Sequence, residues 1–275
     1  MKEIDLTAEV AGYIWEKGWG ERNGGNITVD ITEQTTGLHD LLQDLQATDE
    51  NKEIIRLQEP LTSIAGHYFY VKGTQCRMRD LARDPMNNGC IIRITDDGCG
   101  YKVLTCNGVR PTSELPSHLL VQNFLHKTKS GYTATLHTHP VELVAMSHIP
   151  AFTDRSIGFS PLNANRLTKT LWSMIPETLA FAPLGIGIVP YEVPGSIELA
   201  YATLREVERY DVVLWEKHGT FAVGKDIMDA FDQTDVLNKA AIIYLKAKLT
   251  GEEPTGMTVE QITEVQRIFN LPKQR

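Results

Sequence analysis

Histidines 137 and 139 are separated by a single residue in TLHTHP, Thr135–Pro140, at the end of a run that alternates like a strand. Residues two apart in a strand project from the same face, so these two imidazoles stand side by side and can chelate one cation. Zinc that keeps an open catalytic position takes three protein ligands. His218, in LWEKHGTF, is the natural third, next to a glycine turn about 80 residues on. Taken alone, an HxH pair is more often a polar strand end than a metal site. Pro140 at a first helical position fits that plainer reading as well.

Three further stretches carry side chains able to do chemistry. PTSELPSH sets Thr112, Ser113 and Glu114 at a predicted helix start. They are either an N-cap followed by an acid that the helix dipole favours, or an anion-binding helix terminus beside a carboxylate base. ERNGGN contains Asn23, Gly24, Gly25 and Asn26, a turn that can also cradle a phosphate. It lacks the GK[ST] of a P-loop, which argues against nucleotide binding. VKGTQ ends a strand at Gly73 and offers the Thr74 hydroxyl.

Composition narrows the classes. The chain has 275 residues, 42% of them hydrophobic and 23% charged, enough for a substantial core. No Ser/Gly linker or repeat divides it, so one domain over residues 1–275 is expected. A net charge of −8 argues against general affinity for nucleic acid or an anionic membrane. No run approaches the ~20 apolar residues of a membrane span, and the N-terminal stretch has no apolar signal core. Cys76, Cys90, Cys99 and Cys106 form no CxxC pair. Reduced thiols and a cytoplasmic location are the expectation.

The elements that must position these residues follow from pattern. Leu6 to Trp19 reads as a helix, with Val10, Ile14 and Trp15 at helical spacing. ERNGGNITVDI runs from a turn into a strand, and residues 33–60 read as a polar insertion with an amphipathic stretch around Leu38–Leu45. Strands HYFYVKG, GCIIRITDDG and GYKVLTCNG follow, the last two joined by an Asp-Asp-Gly hairpin. A helix from about Thr112 to Lys127 should bury Leu115, Leu119 and Phe124. After it come the strand YTATLHTH, a helix from Pro140, the strand LGIGIVPY and the helix SIELAYATLREVERY. The strand DVVLWEKH ends at His218 and returns through TFAVG, and a long helix capped by Asp226 ends near Gly251. Strands edged by helices imply an α/β fold with both sheet faces covered.

In this order NGGN, KGT, TSE, HTH, GIGIVPY and KHG resemble the class II aldolase/adducin-like family, over residues from about 10 to 225. The resemblance implies a three-layer α/β/α arrangement on a largely antiparallel sheet, assembled as a fourfold-symmetric homotetramer with active sites near subunit boundaries. It also implies a zinc-dependent aldolase, a lyase, with one Zn2+ per subunit and a phosphorylated ketose as substrate. His137, His139 and His218 then match the metal ligands and Glu114 the catalytic carboxylate. Asn23, Gly24, Gly73, Thr74, Thr112 and Ser113 match the substrate-phosphate positions, with Asn26 in the same loop and the Gly24 N–H among the anchors. Glu177, in LWSMIPETLAF, matches a second catalytic acid near the aldehyde end. Sibling readings are a phosphopentose 4-epimerase, which carries SSD where this chain has Ser113-Glu114, and a fuculose-phosphate aldolase. A metallohydrolase would place an aspartate where Val141 stands, and an adducin-like structural module needs neither the histidines nor the glutamate.

Overall fold

The computed structural model describes residues 2–44, 52–105, 107–128, 131–153 and 164–272; Cys106 and part of the 147–171 segment lie outside the described residues. Strands run over Asn26–Asp30 (β1), Ile55–Arg56 (β2), Tyr68–Lys72 (β3), Gly89–Ile94 (β4), Gly100–Val103 (β5), Ala134–Thr138 (β6), Ile186–Val189 (β7), Val212–Trp215 (β8) and Gly219–Gly224 (β9). They form one nine-stranded sheet in the order β2-β5-β4-β3-β1-β6-β9-β8-β7. Neighbours pair antiparallel throughout, apart from the parallel pair β7 and β8. The fold is therefore mixed α/β on a mostly antiparallel sheet.

Helices run over Lys2–Glu16 (α1), Thr35–Asp44 (α2), Met78–Arg83 (α3), Pro85–Asn88 (α4), Leu115–Thr128 (α5) and Val141–Ser147 (α6). Six more follow, at Pro150–Thr153 (α7), Arg166–Met174 (α8), Pro176–Phe181 (α9), Ile197–Val207 (α10), Ile227–Lys248 (α11) and Val259–Ile268 (α12).

Alternation along the strands divides the core. Ile27, Val29, Leu136, Ile186, Leu214 and Ala222 join one apolar cluster with residues of α1, α6 and α11. Their strand neighbours Val213, Trp215, Phe221 and Val223 pack instead with Val121 and Leu125 of α5 and with Leu199 and Ala202 of α10. Phe69, Val71 and Ile92 meet Leu115 and Leu119 in a third cluster. These central strands are buried on both sides, so the period of two appears as a choice of core and not as a polar face.

Several local expectations shift. Trp15 is 40% exposed, under the guanidinium of Arg79; Ile4, Val10 and Ile14 supply the buried stripe of α1. On α5 the buried apolar positions are Leu115, Leu119, Leu120, Val121 and Leu125, while Phe124 is half-buried. That helix starts at Leu115 and not at Thr112. Thr112 makes a turn ahead of it, its hydroxyl accepting from the Glu114 N–H and its carbonyl from the Leu115 N–H. Pro116 sits in the first helical turn, where a missing N–H breaks no bond. Within residues 33–60, Leu38 of α2 is buried and β2 extends the sheet beyond β5. A capping box between Thr258 and Gln261 starts α12.

β1 and β6 lie at the centre of the sheet, and their register sets Asn26 opposite His137. α5 crosses this pair and is tied to it by polar contacts in an otherwise apolar layer. Asn26 donates its amide to Glu114 Oε2 at 2.6 Å, so its carbonyl oxygen must be the acceptor for the His118 ring at Nε2. His118 is fully buried, and burial pulls its pKa down to about 3. The ring is therefore neutral, with Nε2–H donating to Asn26 and Nδ1 accepting from the Thr135 hydroxyl at 2.7 Å.

This network gives stability a defined pH dependence. An unfolded histidine takes up a proton below about 6.5, whereas folded His118 stays neutral down to about 3. Its contribution is full above about 6.5 and is lost as pH falls through that window, with a limiting slope of ~1.4 kcal/mol per pH unit. His118→Gln keeps a donor towards Asn26 but cannot titrate. The variant is expected to be less stable at pH 7 and to lose less of its denaturant midpoint between pH 7 and 5; a slope equal to wild type would assign the dependence to other groups.

Candidate metal centre and active site

His137 is the penultimate residue of β6 in the sheet interior, His139 follows just outside the strand, and His218 sits in the turn between β8 and β9, not at the end of β8. Lys217 takes a left-handed φ of 60° to make that turn. Gly219 comes next, and its missing side chain is a geometric requirement. A Cβ there would stand 2.3 Å from the Thr138 carbonyl oxygen, 2.8 Å from the His139 ring and 2.9 Å from the His137 ring. Gly24 plays the same part from the other side, where a Cβ would meet the His139 ring at 2.9 Å. The imidazoles converge because both neighbours lack a side chain.

Hydrogen bonds settle which nitrogens face inward. His137 donates from Nδ1 to the Thr220 carbonyl at 2.8 Å, and His139 from Nδ1 to the Glu21 carboxylate at 2.8 Å. In neutral rings this leaves both Nε2 atoms as bare lone pairs, and they stand 3.1 Å apart. The Glu114 carboxylate adds more negative charge, 3.6 Å from His137 Nε2 and 3.7 Å from His218 Nε2. Such a knot of acceptors is repulsive until a cation stands among them. A proton is a poor candidate: burial, with His139 and His218 nearby, holds His137 well below its ordinary pKa, and burial with His139 takes His218 down to about 4. Neutral imidazoles are what a metal requires, and one ligating atom from each of the three lies within 4.8 Å of the others. The carbonyl on His137 and the carboxylate on His139 orient these rings as the outer contacts of metal-binding histidines do. The residues present thus fit a tridentate divalent ion. His218 Nδ1 is buried without a hydrogen-bond partner among the described residues.

Glu114 stands immediately before α5, with its side chain turned into the site. Burial raises its pKa, against the opposing pull of the Asn26 hydrogen bond, His139 and Lys72. It shares a cavity of about 130 Å³ with the three histidines, Asn23, Gly24, Asn26, Thr74, Thr112 and Ser113. The sequence-selected residues are therefore gathered at one place, with two exceptions. Gly73 is bridged to Pro111 and supports the loop from behind. Glu177 is exposed in the first turn of α9 and does not line the cavity.

The donors differ from those expected. The N–H of Gly24 is bonded to the Glu21 carbonyl, that of Gly73 to Asn88 and that of Thr74 to Arg110. These three main-chain groups are occupied and do not meet an anion. Asn26 is likewise engaged, with Glu114 and His118. In compensation the cavity holds Lys72, which sequence reading passed over as part of the alternating strand HYFYVKG. Its ammonium lies 3.2 Å from the Asn23 carbonyl and 3.5 Å from that of Gly73, with no carboxylate in hydrogen-bond contact among the described residues. Burial lowers its pKa to about 8, against the attraction of Cys76 and Glu114. His118 was also missed as a site residue, although its spacing of four from Glu114 in SELPSH was a usable signal.

Comparison with known proteins finds relatives over most of the chain. Residues 5–245 match the family described as Class II Aldolase and Adducin N-terminal domain. A rhamnulose-1-phosphate aldolase from Bacteroides thetaiotaomicron is 53% identical over 272 residues, covering 99% of this chain and 96% of that protein. One from Mannheimia succiniciproducens is 31% identical, over 90% of this chain and 87% of its own length. Among solved structures, a sugar-phosphate aldolase from Thermotoga maritima superposes with a TM-score of 0.72 at 32% identity, covering 93% of this chain and 98% of that one. With histidines, glutamate and anion pocket gathered as described, and with a match spanning most of its length, the chain belongs to the class II aldolase and adducin N-terminal domain family.

Proposed function

We infer that this protein is a zinc-dependent aldolase that reversibly cleaves L-rhamnulose 1-phosphate to dihydroxyacetone phosphate and L-lactaldehyde, in L-rhamnose catabolism. The observation that carries the reading is the meeting, in one cavity, of bare imidazole nitrogens, a buried carboxylate and a buried ammonium. The named relatives supply the sugar. The reading includes one domain in three layers, supported by the division of strand residues between clusters on opposite sheet faces. It also includes a cytoplasmic homotetramer; among the described residues no helix is long and apolar enough to cross a membrane.

His137, His139 and His218 would hold the zinc. Bound there, the ion supplies Lewis-acid stabilisation of the negative charge that develops on the ketose carbonyl and its neighbouring hydroxyl. Glu114 moves the proton at the reacting carbon, removing it in the condensation direction and returning it in cleavage. Burial raises its pKa, which makes it a stronger proton acceptor than a solvated carboxylate. Asn26, held by His118, aims the carboxylate. Lys72, Asn23, Thr74, Thr112 and Ser113 grip the phosphate, fixing the reacting carbon between metal and base. Glu177, outside the cavity of its own chain, would serve the aldehyde end from a neighbouring subunit of the tetramer.

Incubation with L-rhamnulose 1-phosphate is expected to yield dihydroxyacetone phosphate and no inorganic phosphate. Chelation should abolish the activity and zinc restore it. Phosphate release would favour a hydrolase, and a pentose epimer as the only product would favour the sibling epimerase.

Glu114→Gln retains an acceptor for Asn26 but no base. Its rate should fall by about 10²–10⁴-fold, with zinc content near wild type. Solvent-deuterium exchange into dihydroxyacetone phosphate without aldehyde isolates the step, and exchange at the wild-type rate would remove Glu114 from the proton transfer.

Lys72→Met deletes the ammonium from the anion pocket. KM for the phosphorylated ketose should rise by about 10- to 100-fold, the equivalent of a charge-assisted hydrogen bond at ~1.5–3 kcal/mol, with a smaller change in kcat. In wild type KM should also rise as pH passes about 8, where the free lysine loses its charge. An unchanged KM in the variant would leave Lys72 a purely structural residue.

A further inference from the structure

A second group of ligating side chains stands at the opposite end of β1 from Asn26. Asp30 closes the strand and is buried. His67 follows Gly66, whose φ of +78° turns the chain into β3, and His126 lies in the last turn of α5. Four residues of extended chain, about 13 Å, separate Asp30 from Asn26.

The three side chains meet at one oxygen. His67 Nδ1 and His126 Nε2 each lie 2.7 Å from Asp30 Oδ2. The other oxygen, Oδ1, accepts the Thr32 N–H at 2.8 Å, which fixes the carboxylate plane. The rings are edge to face, with centroids 4.5 Å apart. A plain His–Asp–His network would point an N–H along both short lines. Only His67 is aligned that way. His126 Nε2 is buried at the same 2.7 Å and, among the described residues, lies off the line of a regular hydrogen bond, although its closeness to the carboxylate helps to lower the Asp30 pKa.

We propose that Asp30, His67 and His126 form a second divalent-cation site that clips the end of β1 to the start of β3 and to the last turn of α5. Two imidazoles with one carboxylate suit zinc or a similar first-row ion, and not the all-oxygen preference of calcium or magnesium. Neighbouring donors around a zinc bonded at about 2.0 Å stand about 3.3 Å apart, so the ion widens the present spacing by roughly half an ångström. The two histidine side chains are 25% and 23% exposed, which leaves room for water to complete the shell. None of the three lines the cavity of the first site. The second ion therefore acts on the seating of α5 and takes no part in the chemistry.

The test is zinc stoichiometry in chelator-stripped protein, followed by equilibrium dialysis and zinc-edge anomalous diffraction. Wild type should bind two ions per chain, the second peak lying among Asp30, His67 and His126. His126→Ala should bind one ion and keep its aldolase activity, which also shows that it folds. His218→Ala should likewise bind one ion, and zinc should still raise its unfolding midpoint; this readout holds whether or not the aldolase reading stands. Should His126→Ala fail to fold, His67→Gln takes its place with the same expected loss of one ion. Saturation of wild type at a single ion, or a second ion retained in both His126→Ala and His67→Gln, would overturn the site and leave a hydrogen-bonded cluster.

Discussion

Two imidazole lone pairs facing each other across 3.1 Å, with a buried carboxylate alongside, form an arrangement that needs a positive charge to be stable. Much of the surrounding structure enforces it. Thr220 and Glu21 take the outer N–H groups and so aim the bare nitrogens inward. Gly219 and Gly24 admit backbone where any side chain would push the rings apart. The register of β1 against β6 brings Asn26 level with His137, and Asn26 is what holds the glutamate. Burial disfavours protonation of His137 and His218, and the three imidazoles fit a metal ion as the group that would complete the site.

α5 transmits this constraint to the rest of the domain. At its start Glu114 enters the cavity, one turn later His118 locks Asn26 and Thr135, and in its last turn His126 reaches Asp30. The same helix buries Leu119 and Leu125 in two apolar clusters. Its position is thus over-determined by packing and by polar contacts, and a shift along its axis would disturb the carboxylate that the proposed chemistry requires. Preorganisation of this kind keeps a base within reach of its proton without reorganisation during the reaction.

The chemistry-bearing residues were legible because they sit in short motifs at strand and helix ends. HTH declared a shared face through its spacing, and TSE declared a helix start. His218 could be paired with HTH only because two strands were expected to converge. What escaped the sequence depends on contacts between distant segments. Lys72 looks like an ordinary alternating strand residue, and nothing local says that its ammonium ends among the Asn23 and Gly73 carbonyls. The N–H groups of Gly73 and Thr74 are taken by Asn88 and Arg110 from other segments, and that of Gly24 by Glu21 within its own turn, so three expected donors are already spent. Asp30, His67 and His126 are separated by 37 and 59 positions in sequence, with no motif to join them. Trp15 turned outward because Ile4, Val10 and Ile14 already fill the stripe facing the core. The fold class was legible through period-two runs and turn residues; the order of nine strands was not, since pairing between distant strands leaves no local mark.

The central claim is that three neutral imidazoles, and no fewer, bind a single ion beside Glu114. X-ray absorption at the zinc edge, on His126→Ala protein carrying one equivalent of zinc, reads that coordination directly. The account predicts imidazole scattering from three nitrogens at about 2.0–2.1 Å, with oxygen in the remaining positions and no sulfur. A shell of two or fewer imidazoles, or one containing sulfur, would contradict it.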